Sequence, residues 1–143
     1  MTTRPAGPGD IDDVYELAVA LATSFVPRRE QFDRSYDDLL GDDHCLVLVG
    51  ENDDGRVVGY LLASVHPTFF ANGPVGWIEE LMVRPDARRT GMGQSLVVRA
   101  EQWAAGHGAT LVALATRRAD LFWQAVGYEP SATYLRKLLM DTD

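Results

Sequence analysis

The chemistry in this chain gathers in Leu81-Met82-Val83-Arg84-Pro85-Asp86-Ala87-Arg88-Arg89-Thr90-Gly91-Met92-Gly93-Gln94. A strand-forming run ends at Val83, a loop bearing arginines follows, and two glycines lead straight into a helical pattern. The first turn of a helix has N–H groups without intrahelical acceptors and carries the positive end of the dipole, so such a junction suits a phosphate. Gly91 and Gly93 remove side chains that would keep phosphate oxygens away from the backbone. Arg88 and Arg89 add positive charge where a diphosphate would lie.

The common nucleotide loops do not fit. A Walker loop needs a lysine and a hydroxyl residue after its second glycine, and Gln94-Ser95 supplies no lysine. A dinucleotide fingerprint needs a small residue where Leu96 stands and an acidic partner about 20 residues on. The two glycines can also simply shape a helix start beneath a tight turn.

The flanking pattern predicts the elements that would position this segment. Asp10 reads as an N-cap, and Val14, Leu17, Ala18 and Leu21 follow at helical spacing. A second helix is expected from about Arg28 to Leu40. Cys45 to Val49 and Val57 to Val65 read as strands joined at Asn52-Asp53-Asp54-Gly55 and paired antiparallel. Trp77 to Val83 is a third strand, and the helix after Gly91 runs to Gly106. Leu111 to Ala115 is a short buried strand, Ala119 to Val126 a short helix, and Tyr134 to Met140 a final strand. The whole of 1–143 is one mixed α/β domain around a central sheet.

Composition sets the outer bounds. The 143 residues are 46% hydrophobic and 24% charged, enough apolar surface for a single packed core. The net charge of −8 has the wrong sign for a nucleic-acid partner. Residues 1–54 carry 13 acidic and 4 basic residues, a net of −9, whereas residues 55–143 carry 8 and 9, a net of +1. The acidic part would favour a cation, although pairs such as Asp12-Asp13 and Asp42-Asp43 are also ordinary turn and cap residues. No apolar run is long enough for a membrane helix, and no apolar leader opens the chain. The lone Cys45 starts an apolar strand, reads as buried and suggests a reducing compartment, so the expected location is the cytoplasm. His44, His66 and His107 show no ligand spacing, so no metal is expected.

Two segments carry a resemblance. Arg88-x-x-Gly91-x-Gly93 after Leu81-Met82-Val83 resembles the acetyl-CoA pyrophosphate loop of the GNAT N-acetyltransferase superfamily. Ala119 to Tyr128 resembles its second hallmark, an aromatic helix ending in Gly followed by Phe or Tyr, and Tyr134-Leu135-Arg136-Lys137-Leu138 fits its last strand. The resemblance implies a mostly antiparallel twisted sheet, flanked by helices and splayed at the cofactor slot by a bulge. It also implies that Leu81, Met82 and Val83 hold the pantetheine arm through their backbone. Arg88, Arg89, Thr90, Gly91, Met92, Gly93 and Gln94 would then hold the pyrophosphate.

Acetyl transfer to an amine requires a base, because an alkyl amine with a pKa of about 10.4 is protonated at neutral pH. Glu79 and Glu80 stand just before Leu81. Adjacent strand residues face opposite ways unless a bulge intervenes. Family members with an acidic pair here often use the first, so Glu79 is the expected base and Glu80 the reserve; the pair could equally be surface carboxylates. The family's usual acid is a tyrosine four residues before the glycine, and that position holds Trp123, whose indole N–H does not ionise here. Trp123 is expected to line the thioester end of the slot or to be a core aromatic. Tyr128 or Tyr134 could substitute as acid, or the thiolate could leave unaided. Phe25-Val26-Pro27 and Phe69-Phe70 could wall an acceptor pocket or close the core. The expected activity is transfer from acetyl-CoA to a primary amine of a small molecule, peptide or protein, and the resemblance implies a homodimer. The alternative is a non-catalytic acyl-CoA-binding or regulatory module.

Overall fold

The structure is a computed structural model that describes residues 1–117 and 120–140. Its strands are β1 (Thr2–Pro5), β2 (Cys45–Glu51), β3 (Val57–His66), β4 (Val75–Val83) and β5 (Leu111–Leu114). They form one sheet in the order β1-β2-β3-β4-β5. The first three pairings are antiparallel and the last is parallel. The helices are α1 (Ile11–Leu21), α2 (Arg29–Leu40), α3 (Met92–Gly106) and α4 (Asp120–Ala125). Because parallel neighbours cannot be joined by a hairpin, α3 is the crossover from β4 to β5.

Helices cover both faces of the sheet, which is why β2 reads as a continuous apolar run. Leu48 faces a core shared with Leu61, Ile78, Met92, Leu96, Val97 and Trp123. Its neighbours Val47 and Val49 face the opposite core, with Val14, Leu17, Tyr36 and Tyr60. The buried Met92 at the head of α3 packs on Gly50, where any Cβ would overlap its sulfur. That contact seats the start of α3 on the sheet.

Several expectations change. β1 is unmarked in the sequence, being only four residues long with an arginine and a proline. Asp10 stands at the N-cap position of α1 as expected, but its side chain caps no N–H of that helix. It is 8% exposed, and its carboxylate accepts two bonds from the Arg4 guanidinium (2.8 and 3.0 Å) and one from the Gly7 N–H (2.8 Å). Tyr134 to Met140 forms no strand, and Tyr134, Leu135, Leu138, Leu139 and Met140 are exposed. Its apolar residues come as an adjacent pair and an adjacent triplet rather than alternating, so no single face could be buried on a sheet. Cys45 is half-buried rather than buried. Phe69 and Phe70 are exposed, as are Phe25 and Val26, so none of them closes the core. The short helix begins at Asp120; Ala119, its expected first residue, lies outside the described residues.

Candidate active site

β4 changes partners along its length. Its pairing with β5 runs from Val75↔Leu111 to Ile78↔Leu114 and stops there. Its pairing with β3 continues to Val83. β5 itself ends at Leu114, so from Glu79 onward one edge of β4 has no strand partner, at the place where the resemblance expects a slot.

A bulge marks the point of separation. Leu62 pairs with Glu80 and Ala63 with Ile78, so Glu79 is an extra residue without a partner on β3. Strict alternation would put Ile78 and Leu81 on opposite faces, yet both pack in the core beneath α3. The inserted residue restores the phase. By the alternation running up from Ile78, Glu79 leaves the sheet on the face opposite α3. Glu80 shares that face, since it meets Tyr60 of the α1–α2 core.

The two carboxylates differ in surroundings. Glu80 is half-buried, and its Oε1 accepts a 2.6 Å bond from the Tyr60 hydroxyl. Tyr60 is 2% exposed; burial first, and the Glu80 charge second, push its pKa up and keep it a donor. Glu79 is exposed, and no hydrogen-bond partner meets its side chain among the described residues. Neither carboxylate forms an ion pair among the described residues.

Beyond Val83 the chain makes one 3-10 turn, Pro85–Ala87, and folds back into α3. Arg88 Nε donates to the Val83 carbonyl at 3.1 Å, which holds the loop against the open edge of β4. Thr90 Oγ1 donates to the Ala87 carbonyl at 2.7 Å and accepts from the Met92 N–H at 3.4 Å. Among the described residues no acceptor meets the backbone N–H groups of Arg89, Thr90, Gly91, Gly93 or Gln94. Five donors at the positive end of a fifteen-residue helix suit an anion.

The two glycines have separate reasons. Gly91 has φ +88°, a left-handed conformation that a side chain would strain, and the neighbouring Arg89 bears such strain at φ 65°. At Gly93 a Cβ would sit 3.2 Å from the Phe122 ring, so glycine lets α4 pack on the first turn of α3. The Met92 side chain is in the core, leaving only its backbone to the loop.

Trp123 is 8% exposed and packs edge-on against Phe122 (5.1 Å) and Tyr128 (5.3 Å) in the core beneath α3. The Tyr128 hydroxyl donates to Glu101 Oε2 at 2.8 Å. Tyr134 is exposed. Sequence reasoning missed Tyr60 and Phe122. Tyr60 stands in a β-rich run where an aromatic is unremarkable, and only the register with β4 reveals its partner. Among the described residues no group of His, Cys, Asp or Glu is placed to hold a metal ion, and no helix is long and apolar enough to cross a membrane.

The model of the acetyltransferase (GNAT) family matches residues 11–128. The chain belongs to this family. Aminoglycoside N(6′)-acetyltransferase type 1 from Klebsiella aerogenes is 39% identical over 66 residues, which are 45% of this chain and 43% of that enzyme. The alignment thus spans less than half of that relative's length. A transcriptional regulator from Bacillus halodurans C-125 has the same fold, with a TM-score of 0.86, 23% identity, and coverage of 96% of this chain and 99% of the other. AAC(6′)-Iy, solved with the bisubstrate analog CoA-S-monomethyl-acetylneamine, superposes with a TM-score of 0.80 at 20% identity, covering 96% and 97%. At these identities the two structures speak for the fold alone. This GNAT chain has the family's mostly antiparallel sheet flanked by helices.

Proposed function

We propose that this GNAT chain is an N-acetyltransferase that moves an acetyl group from acetyl-CoA to a primary amine by direct attack on the thioester. One observation carries the proposal: β4 loses β5 at Ile78, and its free edge runs from a pair of carboxylates into a loop of unpaired N–H groups. The residues fit acetyl-CoA. An arm of alternating amides can add to a free strand edge, here the backbone of Leu81, Met82 and Val83. The free N–H groups of Arg89, Thr90, Gly91, Gly93 and Gln94, with the Arg88 and Arg89 side chains, suit its diphosphate. When bound, it supplies an acetyl group activated as a thioester.

Glu79 takes the proton of the attacking amine, directly or through water. It is exposed at the bulge, carries no partner, and stands where the slot begins. The open edge of β4 also offers backbone N–H donors to the oxygen that gains charge during attack. Trp123 supplies no acid, and Tyr128 is engaged by Glu101, so the departing thiolate takes its proton from solvent. The acceptor is a cationic small molecule. The two carboxylates without an ion-pair partner, the net charge of −9 over residues 1–54 and the aminoglycoside-acetylating relative support this.

Amine-dependent release of CoA thiol tests the proposal. Turnover with at least one amine is expected, and Glu79→Gln should lower kcat about 10²–10⁴-fold, the usual contribution of a general base. Binding of acetyl-CoA without turnover of any amine would instead favour a non-catalytic acyl-CoA-binding module, the reading to which the buried Trp123 lends weight.

A further inference from the structure

The two carboxylates at the bulge share a face but not an environment. A carboxylate that serves as a base must be able to turn toward the proton it takes, and Glu79 has that freedom. Glu80 does not: one oxygen is held by a phenol that is itself fixed in the core between β3 and the α1–α2 layer. Tyr60 cannot follow a moving Glu80, because its ring is 2% exposed and sits on the register Tyr60↔Met82 beside Leu62↔Glu80.

We infer that Tyr60 is a positioning residue, whose hydroxyl fixes the Glu80 carboxylate on the acceptor face of β4 so that Glu80 holds the ammonium of a cationic acceptor beside Glu79. The inference rests on the acetyl transfer proposed above and divides its labour. Glu80 binds, Glu79 deprotonates, and Tyr60 acts only through Glu80. With Oε1 occupied by the phenol, Oε2 is the oxygen left for the substrate. Half-burial strengthens its attraction for a cation, because a partly desolvated charge is screened less than one in water. No ion pair engages Glu80 among the described residues. A hydrogen bond to a charged group is worth about ten- to a hundredfold, so its loss is measurable in the acceptor's KM.

The test is steady-state kinetics of the full chain with neamine and with 1,4-diaminobutane as acceptors, on wild type, Tyr60→Phe, Glu80→Gln and the double variant. Tyr60→Phe should raise KM for the amine on the order of tenfold, while kcat and the KM for acetyl-CoA stay within about twofold. Glu80→Gln should raise the same KM at least as much, and the double variant should match Glu80→Gln alone, because Tyr60 has nothing to position without Glu80. A Tyr60→Phe enzyme with an unchanged amine KM, or with equal losses for both substrates, overturns the inference. So does a double variant in which the two losses multiply. If Tyr60→Phe does not fold, Glu80→Gln decides: a raised amine KM at unchanged acetyl-CoA KM supports the anchor, and an unchanged one overturns it. A wild type that turns over no amine removes the proposed reaction and the inference together, whereas a wild type that turns over with an indifferent Tyr60→Phe removes the inference alone.

Discussion

The two halves of β4 are one strand under two regimes. From Val75 to Ile78 it pairs on both sides, with Val75, Gly76 and Ile78 buried. Glu79 pairs on neither side, Glu80 to Val83 pair on one side only, and all five residues are half-buried or exposed. The packing at Gly76 shows how tight the first half is, because a Cβ there would lie 3.0 Å from Ala104 and 3.2 Å from Val112. The second half leaves a free edge, which a folded protein normally covers or blunts. Here the loop of Arg88 and the first turn of α3 border that edge, and the bulge at Glu79 brings two carboxylates to its start. The first half is tightly packed and the second is open, which is where the proposed chemistry would lie, and the change coincides with a single inserted residue.

Substitutions can break that division from either end. The largest effect belongs to Glu79→Gln in the open half, where turnover should collapse while the melting temperature stays within about 1 °C, as expected of an exposed side chain. Gly76→Val in the paired half should do the reverse. Overpacking against α3 and β5 should cost about 1–3 kcal/mol in urea unfolding, with the acetyl-CoA affinity of the folded fraction unchanged. Next in size is the Arg4–Asp10 pair, which ties β1 to the turn before α1, far from either half. The hydrogen bonds from Arg4, first among its causes, hold the Asp10 carboxyl below its usual range. A lowered folded-state pKa contributes stability that is complete above the unfolded value, near 3.9, and is lost as pH falls through the folded value. Asp10→Asn should cost about 1–2 kcal/mol at neutral pH and flatten the loss of stability below about pH 4, without changing the amine or acetyl-CoA KM. The smallest effect is Gly93→Ala. The Phe122 ring would have to yield a few tenths of an ångström, and the Kd for acetyl-CoA, read by calorimetry, should rise only about two- to fivefold.

The same division governs what the sequence reveals. Strands covered on both faces, such as β2 and β3, announce themselves as apolar runs, and the glycines before α3 mark a helix start with a left-handed entry. Both signals are local. The bulge is not, because Glu79-Glu80 reads identically with or without it until the partners Leu62 and Ala63 are known. Tyr60 and Phe122 are invisible for the same reason, since each acts through a residue distant in sequence. The C-terminal run Tyr134 to Met140 shows the converse failure: strand-forming residue types are present, but the alternation that would bury one face is missing. β1 escaped notice because four residues containing Arg4 and Pro5 carry almost no pattern, although they pair fully with Leu48 to Glu51.

The most direct test of the account is calorimetric titration of the wild type with acetyl-CoA beside a Gly91→Glu variant. That variant places a strained, negatively charged side chain at φ +88° among the unpaired N–H groups of the loop. The account predicts one site per chain in the wild type and no measurable binding to the folded variant. Equal binding by the two proteins, or none by the folded wild type, would contradict the claim that the open half of β4 and the start of α3 form the cofactor slot.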